Sequence, residues 1–279
     1  MKIFKTLVIL LLGIHSVIAD ELVCLSVRYK DTNRYFNEGS LRTMCSGVKD
    51  FYKKNSYNKL IFDTDVMVVD VDLNGNKGNV NKAEKIAIDH YEKKKGKNKD
   101  RKYAVITMFK GYSNAGSKIG HLENDQLRTA AHEIGHILGL QHASKYIESS
   151  KFPFTKLDPY GDSQSIMSRY SSCCLTAPQY HFKKWITNYH KYDPNITDYK
   201  ICRITSEKDC PKYIKIDGIN GGRDVFISYP IKIDKGVSIH YGTDGGSQLV
   251  KTFSNEYVFE GKLIKVTKID DTYINVHIK

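Results

Sequence analysis

The stretch "HEIGHILGLQH", residues 132–142, sets His132, Glu133, His136 and His142 among apolar neighbours. On a helix, residues four apart are separated by about 400° of rotation, so His132 and His136 leave the same face one turn apart. Two neutral imidazoles at that spacing can fill two corners of a zinc tetrahedron. Glu133 follows the first ligand and reaches the edge of such a site without occupying it, the place for a general base that takes a proton from water. A third ligand must arrive from another direction, so the helix has to stop. Gly139 can adopt the left-handed conformation that ends a helix, and His142, three residues later, comes back toward the metal. That leaves one position open for water, as a catalytic zinc requires, and zinc lowers the pKa of that water to about 7. A lone histidine here would be a core residue, and a bare HExxH recurs by chance. The longer pattern, with its glycine and third histidine, is far more specific.

The helix carrying the motif is written as "DQLRTAAHEIGHILG" from Asp125, with an acidic start, no proline and a terminal glycine. Ahead of it, residues 22–29 alternate as a strand and 39–56 carry apolar residues at helical spacing. Residues 60–73 are rich in β-branched side chains, 81–95 form an amphipathic helix and 103–109 a short buried strand. This strand–helix alternation predicts a mostly parallel sheet with covering helices. A loop over 110–124 then leads into the motif helix.

Around residue 190 the character changes. The polar segment 189–199 contains Pro194 and predicts a linker. Helical periodicity then disappears, and short strands are expected at 213–217, 224–233, 237–242, 247–253, 262–269 and 273–278, separated by turns such as "INGG" and "TDGG". The expected fold class is α+β: a twisted mixed sheet with covering helices and an active-site helix over residues 20–190, followed by a small all-β, sandwich-like domain over 200–279.

Residues 1–19, "MKIFKTLVILLLGIHSVIA", combine Lys2 and Lys5, an apolar block too short to span a bilayer, and a small-residue end at Ala19, which predicts a cleaved secretory signal. No later segment predicts a membrane span. Six cysteines agree with export: none shows CxxC spacing, so disulfides are the default. Proximity favours Cys202 with Cys210 and, less securely, Cys24 with Cys45. Cys173 and Cys174 could then bond each other only through a tight ring. One glycosylation sequon stands at Asn195.

The formal charge is +12, or about +10 without the signal. Its densest patch, "KKKGKNKDRK" at 93–102, has no interleaved aromatics, so a solvated loop is preferred to an anionic partner and no nucleic acid is expected. In "DVDLNGNKGNVN", Asp70, Asp72, Asn74 and Gly75 fit a calcium loop. Asn81, however, stands where the bidentate glutamate belongs and a strand precedes it, which makes a plain turn the stronger reading than Ca2+.

The motif resembles the HExxHxxGxxH signature of the metzincin zinc metallopeptidases, and "SIMSRY" supplies, at Met167, the Met-turn these require. The segment 160–186 is similar to that of gametolysin-like metallopeptidases, with Cys174, Leu175, Ala177, Pro178 and Trp185 in matching places. Lys183 and Lys184 depart from the Leu-Gly found there. Residues 213–279 resemble the β domain that follows, whereas before residue 120 the likeness is architectural.

The resemblance implies a metzincin-type zincin fold and a packed, non-ligating role for Met167. It also implies pocket specificity set by residues 143–165. Some metzincins place a helper tyrosine two residues after the methionine. Here Arg169 occupies that place and Tyr170 follows, which weakens Tyr170 as a helper. No room for a pro-segment is visible between Ala19 and the first strand, and Cys24, inside a strand pattern, reads as a disulfide partner and not as a switch thiol.

The expected function is a secreted, monomeric zinc endopeptidase acting on protein or peptide substrates. His132, His136 and His142 hold one zinc ion and Glu133 is the base. A non-catalytic secreted binding protein on the same fold is the alternative; loss of Glu133 or a ligand would mark it, and neither is lost.

Overall fold

The computed structural model describes residues 20–30, 35–73, 79–108, 113–147, 156–169, 171, 173–231 and 236–279. The expected signal at 1–19, Tyr170, and Asn74 and Gly75 of the calcium reading lie outside them.

The first sheet grows from a strand with two buried faces. β1 (Asp20–Tyr29) pairs in parallel with β2 (Phe62–Val71) on one side and β3 (Lys102–Ile106) on the other. Period-two alternation splits the side chains of β1. Leu22 and Cys24 join the cluster beneath α1 (Glu38–Asn55), and Val23, Leu25 and Val27 join the one beneath α2 (Val80–Lys95). Both helices start on asparagine caps, Asn37 accepting from Ser40 N and Asn79 from Lys82 N, each at 3.0 Å. The sheet continues through β5 (Ile119–Leu122), parallel to β3, to the edge strand β4 (Asn114–Ala115), which is antiparallel, giving the order β2-β1-β3-β5-β4. The segment expected as a loop at 110–124 thus supplies two strands, too short for their periodicity to show. Next comes the motif helix α3 (Leu127–Ile137), which packs on β5 and α1. It starts two residues after the expected Asp125, and its N-cap, Gln126, makes no side-chain cap bond.

A second sheet has the order β7-β6-β13-β12-β11-β10-β8. Its strands are β6 (Ala143–Tyr146), β7 (Leu157–Asp158), β8 (His190–Lys191), β10 (Tyr213–Gly218), β11 (Arg223–Ser228), β12 (Val237–Gly242) and β13 (Ser247–Phe253). A third, antiparallel sheet orders β14 (Glu256–Phe259), β15 (Lys262–Lys268), β16 (Tyr273–Ile278) and β9 (Asp198–Cys202). One apolar cluster draws on both: Ile214, Val225, Ile227, Ile239 and Val250 from the second sheet, and Ile201, Ile264, Ile274 and Val276 from the third. The opposite face of the second sheet carries α4 (Ala177–Phe182) on β11 and β12, and its Tyr213 and Phe226 enter the same cluster as α1 and α3.

Several sequence expectations shift. The segment 189–199 is no plain linker: His190 and Lys191 pair with β10, and β9 begins at Asp198. The "INGG" turn is a single helical turn, α5 (Ile219–Gly222), and the strand expected to reach 233 ends at Ser228. Residues 143–146 and 157–158, expected within one specificity loop, are strands. The second sheet therefore takes strands from both sides of residue 190.

All three disulfides form, Cys24–Cys45, Cys173–Cys174 and Cys202–Cys210, with no free cysteine among the described residues. No described helix is long and apolar enough to cross a membrane. Asp70 and Asp72, offered as calcium ligands, instead pair with Arg28 and Lys30, the latter at 2.9 Å. Within the lysine patch, Lys95 pairs with Asp65 and Lys102 with Asp20.

Candidate metal centre

Three imidazoles meet at the C-terminal end of α3. His132, His136 and His142 present ligand atoms that all lie within 4.8 Å of one another, the only such group of His, Cys, Asp or Glu among the described residues. His136 Nε2 is 3.2 Å from His132 Nε2 and 3.1 Å from His142 Nε2. A tetrahedral ion with zinc–nitrogen bonds of about 2.0–2.1 Å sets its ligands about 3.3 Å apart, close to these values.

The outer ring nitrogens decide the protonation. His132 Nδ1 lies 2.9 Å from Ile166 O and His136 Nδ1 2.8 Å from Leu140 O. A carbonyl only accepts, so both Nδ1 atoms carry the proton and both Nε2 atoms are bare lone pairs facing each other. With both rings neutral, lone pairs at that distance repel and no hydrogen bond can join them, so the donor set fits a cation held between the two rings. Burial pushes His132 and His142 down to about 4 and lowers His136 too, which keeps all three in the neutral, ligating form at neutral pH.

The helix end is built from its own backbone. Gly139, at φ +84°, donates to His136 O at 2.9 Å, and Leu140 donates to Gly135 O at 2.9 Å, a Schellman closure that turns the chain toward His142. Lys183 Nζ caps Leu138 O at 2.8 Å, so this lysine serves the end of the helix.

Met167 is fully buried beneath α3. A Cβ on Gly135 would fall 2.4 Å from Met167 Sδ and 3.0 Å from Tyr52 Oη, so the helix can rest on the methionine only with glycine there. The turn around Met167 holds both halves of the site. Ile166 O fixes His132, and Met167 O accepts from Ala143 N at 3.0 Å beside His142. Arg128 secures its far end through Ser168 O and Ser171 O at 2.6 and 2.9 Å.

Glu133 is 6% exposed, and its Oε2 has no hydrogen-bond partner among the described residues. Burial raises its carboxyl to about 7, against a smaller opposing pull from His121. An orphaned carboxylate with that pKa, adjoining a ligand, is equipped for proton transfer near neutral pH.

Several supporting residues escaped the sequence reading. The Tyr160 ring lies 4.1 Å from the His142 ring, centroid to centroid, and the Arg169 guanidinium carbon lies 5.5 Å from the Tyr160 ring centroid. Gln179 is fully buried, accepts from Ser165 Oγ at 2.7 Å and Thr176 N at 3.1 Å, and donates to Gln141 O at 3.1 Å. The Thr-x-x-Gln spacing from Thr176 announces a capping box, a signal present in the sequence. Asp162 and His240, both buried, pair at 3.0 Å and tie the segment before Met167 to β12; nothing in their spacing announces this.

No known family model matches the chain, and no curated protein matches it in sequence. Among solved structures, wild-type OgpA from Akkermansia muciniphila aligns with a TM-score of 0.36 and 13% sequence identity, over 85% of this chain and 93% of that one. At that level the likeness says nothing about what this chain does.

Proposed function

We propose that the chain is an exported zinc metalloendopeptidase of metzincin type. His132, His136 and His142 hold one zinc ion, Glu133 is the general base, and Met167 forms the packed floor of the site. The observation that carries this reading is the convergence of three Nε2 atoms with the outer nitrogens of His132 and His136 committed to carbonyls.

When bound, the zinc ion supplies a Lewis acid that polarises the scissile carbonyl and acidifies water. The chain supplies the rest. Glu133, unpaired and held near neutrality, takes the proton of the attacking water and passes it to the leaving amine. Tyr160 and the carbonyls of Ile166 and Leu140 keep the rings aimed, so that little reorganisation accompanies the reaction. Residues 20–190 are proposed as the unit that carries the three histidines and 200–279 as a sandwich-like unit whose β13 and β10 hydrogen-bond to β6 and β8 of the first. The three disulfides suit an oxidising, extracellular compartment.

The test is proteolysis of gelatin by the purified chain without residues 1–19, beside Glu133→Ala, with zinc content measured in both. The reading expects cleavage by the wild type that a chelator stops, and a variant that keeps zinc without cutting. Zinc in both with no cleavage of gelatin or a broad peptide library would favour the non-catalytic binding protein.

A further inference from the structure

His132 and His136 are spaced by the helix they share, but His142 lies beyond its end. Its neighbours are held by chain from a hundred residues downstream. Gln141 donates its amide to Gly245 O at 2.9 Å. Immediately after the ligand, residues 143–145 pair in parallel with residues 247–249 of β13. Gly245 and Gly246 belong to the turn joining β12 to β13, closed by reciprocal bonds between Thr243 and Gly246 at 3.3 Å.

This turn meets the end of α3 at backbone distance. A Cβ on Gly245 would stand 2.2 Å from Gly139 O, and one on Gly246 would stand 3.2 Å from both Gln141 Cβ and His142 O. Phe182 lies over the junction: its Cε1 is 3.7 Å from where a Cβ would be on Gly139 and 3.3 Å from where one would be on Gly245.

We infer that the 243–246 turn positions the third metal ligand, with Gly245 anchoring Gln141 and lying against Gly139 so that His142 is already in place before metal arrives. The inference rests on the proposed zinc reading. Without the anchor, ordering residues 139–142 would fall to the metal, and affinity would drop accordingly. The β region following residue 200 is then a component of the metal site and not an appendage to it.

The experiment compares Gly245→Ala with Gly261→Ala in the chain without residues 1–19. Both glycines sit at φ +73° in hairpin turns, but a Cβ on Gly261 meets nothing within 4 Å. The positive φ is therefore matched, and of the two only Gly245 touches the site. Zinc affinity is read by competition with a chromophoric chelator, and ligand geometry by the visible spectrum of the cobalt-loaded protein. Gly245→Ala is expected to bind zinc roughly 10–100-fold more weakly with an altered cobalt spectrum, and Gly261→Ala to match the wild type.

Phe182→Ala guards against misfolding of Gly245→Ala, because its side chain is 43% exposed and can be trimmed without unfolding the chain. A smaller loss in the same direction is expected. Wild-type zinc affinity and cobalt spectrum in a folded Gly245→Ala would overturn the inference, as would equal losses in Gly261→Ala. If Gly245→Ala does not fold, wild-type values in Phe182→Ala overturn it. A wild type that takes up no zinc would remove the zinc reading and this inference together, a result distinct from those in which only the variants disagree.

Discussion

His136 and His142 are equivalent as donors and opposite in how they are placed. His136 is set by one turn of α3, and its Nδ1 is satisfied by Leu140 O, four residues away. His142 is set by a glycine closure, by Met167 O acting on Ala143, by Gln179 and by a hairpin turn near residue 245. Local geometry needs only the right spacing. The third ligand needs most of the fold. Such a donor set depends on tertiary structure most through His142, less through His132, whose Nδ1 meets Ile166 O, and least through His136, so substitutions around the three should behave differently.

The largest effect comes from the ligands themselves. His136→Ala and His142→Ala should each weaken zinc binding by about a thousandfold or more, measured by chelator competition, since two imidazoles leave half of the tetrahedron without protein ligands. Unchanged affinity in His142→Ala would break the comparison. Glu133→Gln, on the same helix but outside the donor group, should lower turnover by about 10²–10⁴-fold while zinc affinity stays within about threefold.

The same residue gives a pH test in metal-free protein. Burial raises the folded-state Glu133 pKa to about 7 from an ordinary 4.5. Between those values the folded chain keeps a proton that the unfolded chain releases, so this contribution is fully present below about pH 4.5 and is lost as pH rises through 7. Glu133→Gln should flatten the loss. Relative to wild type, its thermal midpoint should gain more at pH 8 than at pH 4, by the equivalent of about 3 kcal/mol.

Smaller effects separate the two sides. Gln179→Ala leaves Gln141 O and Ser165 without their buried partner and should cost about 1–3 kcal/mol in denaturant unfolding, with a measurable loss of zinc affinity. Tyr52→Phe removes the 2.5 Å bond to Ala131 O beneath α3. It should cost about 1 kcal/mol and leave zinc affinity unchanged, because the helix keeps its own spacing.

The contrast also explains what was legible beforehand. The helices α1 and α2, strands β1 and β2 and the later hairpins show in the sequence because length or alternation gives periodicity something to act on, and the five-residue β3 shows as an unbroken apolar run after Lys102. His190 and Lys191, or Leu157 and Asp158, are strands of two residues and carry no period. The strand after His142 was hidden for another reason: its partner lies a hundred residues away, and only the fold brings Ser247 beside Ala143. At the site, the His-Glu-His spacing and Gly139 were readable because they obey helix geometry. Tyr160 and Gly245 were not, because their roles exist only across packed surfaces.

The most direct test is the metal content of the chain purified without chelators at neutral pH, measured by mass spectrometry beside His142→Ala. One zinc per chain in the wild type and little or none in the variant is the predicted result. A wild type without stoichiometric metal, or a variant that retains it, would contradict the three-histidine centre.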